Sequence, residues 1–167
     1  MKKTWQEKMV DKPSMPKILK LETTFPCYNA AHKMGANAGD EIILVNPSEV
    51  ARYMQAVPYG RLTTLTDICK AIAAAHQVKA CCSLTTGIFT MTIANAMEEM
   101  NTQGKDAPIP YWRTLKADGS LNPKYPGGQE GQQELLAKEG FTFTCKGKRI
   151  LVNDYERFLI TKFIIQD

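Results

Sequence analysis

Residues 58 to 106 narrow the fold more than any other part of the chain, because two helical patterns follow one another across a short connection. Pro58 closes whatever precedes it, since the residue before a proline is pushed out of the helical region. Thr64 or Thr66 then offers a hydroxyl to the free amides of a first turn, and Ile68, Ile72 and Ala75 follow within one helix. A connection containing Cys81, Cys82 and Ser83 leads to a second helix, Leu84 to Met100, with Ile88, Met91, Ala94 and Met97 near helical spacing. The pattern is helix, turn, helix.

The flanks are mixed. Pro13, Pro16 and Pro26 break any long helix in the first 40 residues, where Ile18 to Leu21 reads as a short strand. Glu41 to Val45 is a stronger strand signal, bounded by Gly39-Asp40 and Asn46-Pro47. Asn46 is expected to cap a helix with Pro47 in its first turn and Glu49 three residues on, running to about Ala56. A polar loop, Asn101 to Asp106, follows the helix pair, and Gly119, Pro123, Pro126, Gly127 and Gly128 mark a turn-rich connection. Gln129 to Lys138 reads as a helix stopped by Gly140. Phe141 to Cys145 and Arg149 to Val152, joined through Lys146-Gly147-Lys148, read as a hairpin, and Asp154 starts a final amphipathic helix.

Bulk properties exclude several classes. With 167 residues the chain has room for one domain with extensions, and no segment approaches the roughly 18 apolar residues of a membrane span. No apolar stretch follows Lys2, Lys3 and Lys8 to make a signal peptide, and five cysteines form no disulfide framework, so a cytoplasmic location is expected. A net charge of +4 suits an anionic partner without demanding one. Cys81-Cys82, with Cys69 and His76 nearby, reads as helix-turn packing and not as a metal site, because adjacent cysteines rarely chelate one tetrahedral ion; Cys27 and His32 are equally weak candidates. No cofactor is expected.

The segment Ile109-Pro110-Tyr111-Trp112-Arg113-Thr114-Leu115-Lys116-Ala117-Asp118-Gly119 resembles the Pro-Cys-His-Arg box of the methylated-DNA–protein-cysteine methyltransferases. Val57-Pro58-Tyr59-Gly60-Arg61-Leu62-Thr63-Thr64 is similar to that family's opening I-P-x-G-x-V-x-T segment. Tyr125-Pro126-Gly127-Gly128, followed by Leu135 to Phe141, is similar to its Y-S-G-G and L-L-x-x-E-G ending. The likeness spans about residues 57 to 141. It implies an α+β, winged helix-turn-helix fold whose recognition helix enters the DNA minor groove and flips a damaged nucleotide.

The same resemblance puts Tyr111 at the reactive cysteine, Trp112 at the histidine and Glu139 at the glutamate that orients it. A thiolate is needed to attack an alkyl carbon at neutral pH, whereas a phenol ordinarily titrates near pKa about 10 and an indole donates but cannot accept a proton. Alkyl transfer is therefore not expected. The alkyltransferase-like proteins also lack the cysteine, but they typically carry tryptophan there and keep the histidine, so the match to them is partial. Met91 falls at the family's finger arginine and Leu65 at its phosphate-turning tyrosine. Methionine can wedge between base steps but cannot replace the arginine's hydrogen bonds.

Charge runs against DNA: no Lys or Arg occurs between Lys79 and Lys105, and Glu98 and Glu99 end the second helix. The helix N-terminus, with Ser83, Thr85 and Thr86, remains a phosphate acceptor, Ala94 permits close approach, and Asn95 lies beside it. Arg61, Lys79, Arg113, Lys116 and Lys124 frame the site, and Tyr125 and Gly127 complete the DNA-binding set. Tyr111 and Trp112 either line a lesion pocket or fill a vacated one, Met91 is either a wedge or an ordinary apolar residue, and Arg113 is read as structural, holding its loop to carbonyls.

The expectation is an extension at 1–50, a winged helix-turn-helix domain at 51–142 and a hairpin-plus-helix extension at 143–167. Its function is non-catalytic, alkyltransferase-like binding of double-stranded DNA in repair, with O6-alkylguanine as the lesion class. The alternative is a protein-interaction or regulatory module without DNA, with protein partners. A different enzyme working through Cys81 or Cys82 lacks a base.

Overall fold

The computed structural model describes residues 1–165, so the last two residues of the expected C-terminal extension lie outside the described residues. At the N-terminus Thr4 and Glu7 close a one-turn helix, α1 (Trp5–Lys8): each side chain accepts from the other's backbone amide. Strand β1 (Lys17–Lys20), helix α2 (Tyr28–Lys33) and strand β2 (Glu41–Leu44) come next, with Ile18 opposite Ile43 in an antiparallel pair. Neither α1 nor α2 is expected in this proline-broken stretch. Both are short enough to sit between the prolines.

Helix α3 (Pro47–Gln55) lies where expected, but its capping differs. Asn46 makes no cap bond, because its side chain accepts from the Lys12 amide at 2.9 Å and donates to the Met15 carbonyl at 3.1 Å. Asp11 takes over, accepting from the Ser48 amide at 3.0 Å and from the Ser48 hydroxyl. Glu49 reaches His76 Nε2 at 2.6 Å instead of turning back to the cap.

A two-residue strand β3 (Thr63–Thr64) runs into α4 (Leu65–Ala75), which is capped by Thr64, not Thr66, through the Asp67 amide at 3.1 Å. The connection to the long α5 (Ser83–Thr102) contains a strand, β4 (Ala80–Cys81), that sequence periodicity does not reveal. β4 joins β2 in parallel, Ile42 beside Ala80, giving the sheet order β1-β2-β4. Side-chain alternation sends Ile42, Ala80 and Cys82 to one apolar cluster with Leu21 and Ala31, and Ile43 and Cys81 to the main core with Val50, Ile72 and Ile93. Residue 50 therefore lies inside α3, and Ile43, Val45 and Val50 of the expected extension share one core with α4 and α5.

A 3-10 turn (Tyr111–Arg113) leads into β5 (Thr114–Leu115), which pairs in parallel with β3. Helix α6 (Gly128–Ala137) and the hairpin of β6 (Phe143–Lys146) and β7 (Arg149–Val152) complete the described elements up to α7 (Tyr155–Phe158). The expected final amphipathic helix stops after one turn. Beyond it the chain extends along Leu62, whose amide donates to the Phe158 carbonyl and whose carbonyl accepts from the Ile160 amide, both at 2.9 Å. Phe163 then packs edge-on against Tyr53, 5.1 Å between ring centres, so the tail closes over α3.

Alanine normally strengthens a helix relative to glycine by about 1 kcal/mol. At Gly131, in α6, a Cβ would sit 2.4 Å from the Pro126 carbonyl oxygen. Gly131→Ala is expected to lower stability by about 1–3 kcal/mol, read from urea denaturation; a rise would show that the Tyr125–Gly128 turn yields.

Candidate nucleic-acid interface

Glu139, one residue beyond the α6 C-cap at Lys138, collects the loop that carries Tyr111 and Trp112. Its carboxylate accepts from the Trp112 indole Nε1 at 2.6 Å, from Arg113 Nε at 3.0 and 3.1 Å, and from the Gly60 amide at 2.8 Å. Arg113 also donates to the Val57 carbonyl at 2.8 Å, so it holds its loop to a neighbouring carbonyl as expected. The glutamate has not lost its partner. The indole N–H at Trp112 supplies the donor that the resemblance assigns to an imidazole, and it brings no acceptor with it.

Tyr111 is only 4% exposed. Its ring meets Trp112 and Tyr125 edge-on, with centres 5.3 and 5.5 Å apart, and burial followed by the Glu98 charge pushes its phenol up to about 12. Tyr125 is buried as well and donates to the Thr114 carbonyl at 3.2 Å. Gln132, fully buried on α6, links the Trp112 carbonyl to the Asn122 amide at 3.0 and 2.7 Å. Sequence reasoning misses this glutamine, because a polar residue on a helix reads as solvent-facing.

A cavity of about 410 Å³ opens between α5 and the strand-turn segment after it. It gathers Leu65, Met91, Lys116 and Tyr125 from the expected set, together with Leu84 and Ile88. Tyr111 and Trp112 border a separate hollow of about 200 Å³ beside Met97 and Leu135. Asn95 donates to the Met91 and Lys124 carbonyls at 2.8 and 3.0 Å, which pins the lysine's backbone to the helix. Gly127 is exposed at the start of α6 with φ +74°, a conformation that favours glycine.

Other expected residues are turned away. Ala94 is 0% exposed and belongs to the core, and Thr86 is 1% exposed with its hydroxyl 3.3 Å from Cys81 Sγ. Thr85 has its hydroxyl 3.4 Å from Cys82 Sγ. Arg61 donates through Nε and Nη2 to the Phe158 and Leu159 carbonyls at 3.0 and 2.8 Å, clamping the tail. Both arginines of the expected set thus serve internal contacts, and Lys116 and Lys124 are the cations at the cavity. Glu99 is occupied within the fold. Its carboxylate accepts from the amides of Trp5 and Gln6, each at 3.1 Å, and so anchors α1 on α5.

The outer face of α5 at the cavity is apolar: Leu84 is 52% and Ile88 50% exposed. The turn opposite is fixed by Asp118. Against the desolvation that burial imposes, hydrogen bonds from Ser120 and Arg149 hold its carboxyl at about 2. Among the described residues no group of three or more His, Cys, Asp or Glu is placed to hold a metal ion.

Glu139→Ala would leave the Arg113 guanidinium buried without a counter-charge and is expected to cost about 3–5 kcal/mol in urea denaturation. Trp112→Phe keeps the ring but removes one bond to a carboxylate, for about 2 kcal/mol; equal losses from the two would mean the indole contact dominates. Because Asp118 titrates lower when folded, its contribution is complete above pH about 4 and fades as pH falls toward about 2. Asp118→Asn should flatten that part of the acid-unfolding curve.

Comparison with known proteins bears on this arrangement. The family described as "6-O-methylguanine DNA methyltransferase, DNA binding domain" matches residues 47–141, more than half of the chain. No curated protein matches by sequence. A crystal structure of S. pombe Atl1 in complex with damaged DNA containing O6-carboxymethylguanine superposes with a TM-score of 0.51 at 14% identity, covering 70% of this chain and 94% of that one. A second crystal structure, of S. pombe ATL in complex with DNA, gives 0.50 at the same identity and coverage. At this identity the likeness concerns the fold. Among the described residues no helix is long and apolar enough to cross a membrane. The chain belongs to the family of the 6-O-methylguanine DNA methyltransferase DNA-binding domain.

Proposed function

We propose that this chain is a non-catalytic, alkyltransferase-like DNA-binding protein of repair, with α4 and α5 as its helix-turn-helix and the β6–β7 hairpin as its wing. The reading is supported above all by the buried Tyr111 and the Trp112 indole bound to Glu139, at the two positions where the motif resemblance puts the family's cysteine and histidine. Tyr111, with its phenol pushed to about 12 by burial and by the Glu98 charge, stays neutral at physiological pH. The residues lining the cavity include no cysteine, and Cys145, the exposed one, sits on the hairpin. Two crystal structures of this fold, both from S. pombe, hold DNA, and in one of them the DNA contains O6-carboxymethylguanine. O6-alkylguanine is the lesion class proposed for this chain too, because alkylation weakens the base pair a binder must open.

A second reading, an interaction module without DNA, draws on the uncharged, apolar face of α5. The two part in a simple experiment. Incubated with a duplex containing O6-methylguanine, the chain should bind it while its own mass stays unchanged; a gain of one methyl group would overturn the non-catalytic reading. With Lys116 and Lys124 as the cations at the cavity, log K against log salt should fall with a slope of about −2. A much steeper slope would place the interface elsewhere on the surface, and absence of binding would favour the second reading.

A further inference from the structure

Resting on that DNA-binding reading, we infer that the cavity beside α5 takes a nucleotide already unstacked or unpaired, and that it reads this local opening of the duplex and not the alkyl group itself. Flipping a base from an intact pair costs unstacking and unpairing energy, which a protein offsets by neutralising phosphates and by filling the vacated stack. Both resources are meagre here, with Lys116 and Lys124 the cations at the cavity and Met91 the one residue at the finger position. Helix α5 carries no Lys or Arg along its twenty residues, and Arg61 and Arg113 are committed to internal acceptors. The residue at the finger position, Met91, has no donor for an orphaned base.

What the cavity does offer suits a base that arrives exposed. Leu84, Ile88 and Met91 recur at helical spacing along its α5 wall, an apolar surface for a nucleobase face. Lys116 and Lys124 stand at the opposite wall, both exposed and able to meet the flanking phosphates. The volume of about 410 Å³ lies in the range of small-ligand sites.

The test uses the full chain and three duplexes of one sequence in fluorescence anisotropy: fully paired, carrying O6-methylguanine opposite cytosine, and carrying a one-nucleotide bulge. The bulged duplex should bind at least ~10-fold tighter than the paired one, with the alkylated duplex between them. Ile88→Glu, on an exposed position, should erase that preference. An alkylated duplex bound as tightly as the bulge, or an Ile88→Glu protein that keeps the preference, would overturn the inference and leave the DNA-binding reading standing. Failure to bind any of the three would remove both.

Discussion

The carboxylate of Glu139 is the contact on which the candidate site depends. It sits where the end of α6, the segment before β3 and the 3-10 turn converge, and it joins all three: its own element supplies the carboxylate, Gly60 one amide, and Trp112 and Arg113 the side-chain donors. A buried carboxylate is tolerated only with such partners, because burial without them carries a large desolvation cost. The consequence is positional. With Trp112 and Arg113 held, Tyr111 is driven inward onto Tyr125, and Tyr125 separates it from the cavity.

That inward packing changes what the family scaffold can do. Tyr111 lies in the hydrophobic core, and the polar groups nearby are consumed in holding loops: Gln132 on the Trp112 carbonyl, Tyr125 on the Thr114 carbonyl, Asn95 on the Lys124 carbonyl. The N-terminal segment completes the support from the other side, through Glu99 on α1 and Asp11 on the start of α3. The cavity between α5 and the Thr114–Tyr125 stretch sets the exposed apolar Leu84 and Ile88 opposite Lys116 and Lys124.

Local signals were legible wherever a pattern and a breaker coincided. Pro58, the Thr64 cap and the periodicity of Ile68 and Ile72 located α4, the β-branched run at Glu41 located β2, and Lys146-Gly147-Lys148 located the hairpin. The motif order also marked the family over residues 57 to 141, within the 47–141 that the family matches. Elements that exist only through distant pairing were not legible. β4 is two residues long and is a strand because Ile42 and Ile43 lie beside it; α7 ends where Leu62 offers its amide and carbonyl to the tail. Asn46 had the composition of a cap, yet the Lys12 amide and the Met15 carbonyl engaged it first.

The sequence by itself determined the order of the helices and hairpin and the family, because both are written in residue identity and short-range spacing. Tertiary structure decided which charges remain available. Arg61 read as part of the DNA-binding frame and Arg113 as both part of that frame and a brace for its loop, and each found carbonyls or a carboxylate brought from 26 to 98 residues away. Folding likewise buried Thr86 and Ala94 and left Thr114 without a partner among the described residues. A guanidinium has no preference between a phosphate and an internal acceptor that spacing along the chain can express; the packing of α6 and the C-terminal tail settled it by proximity.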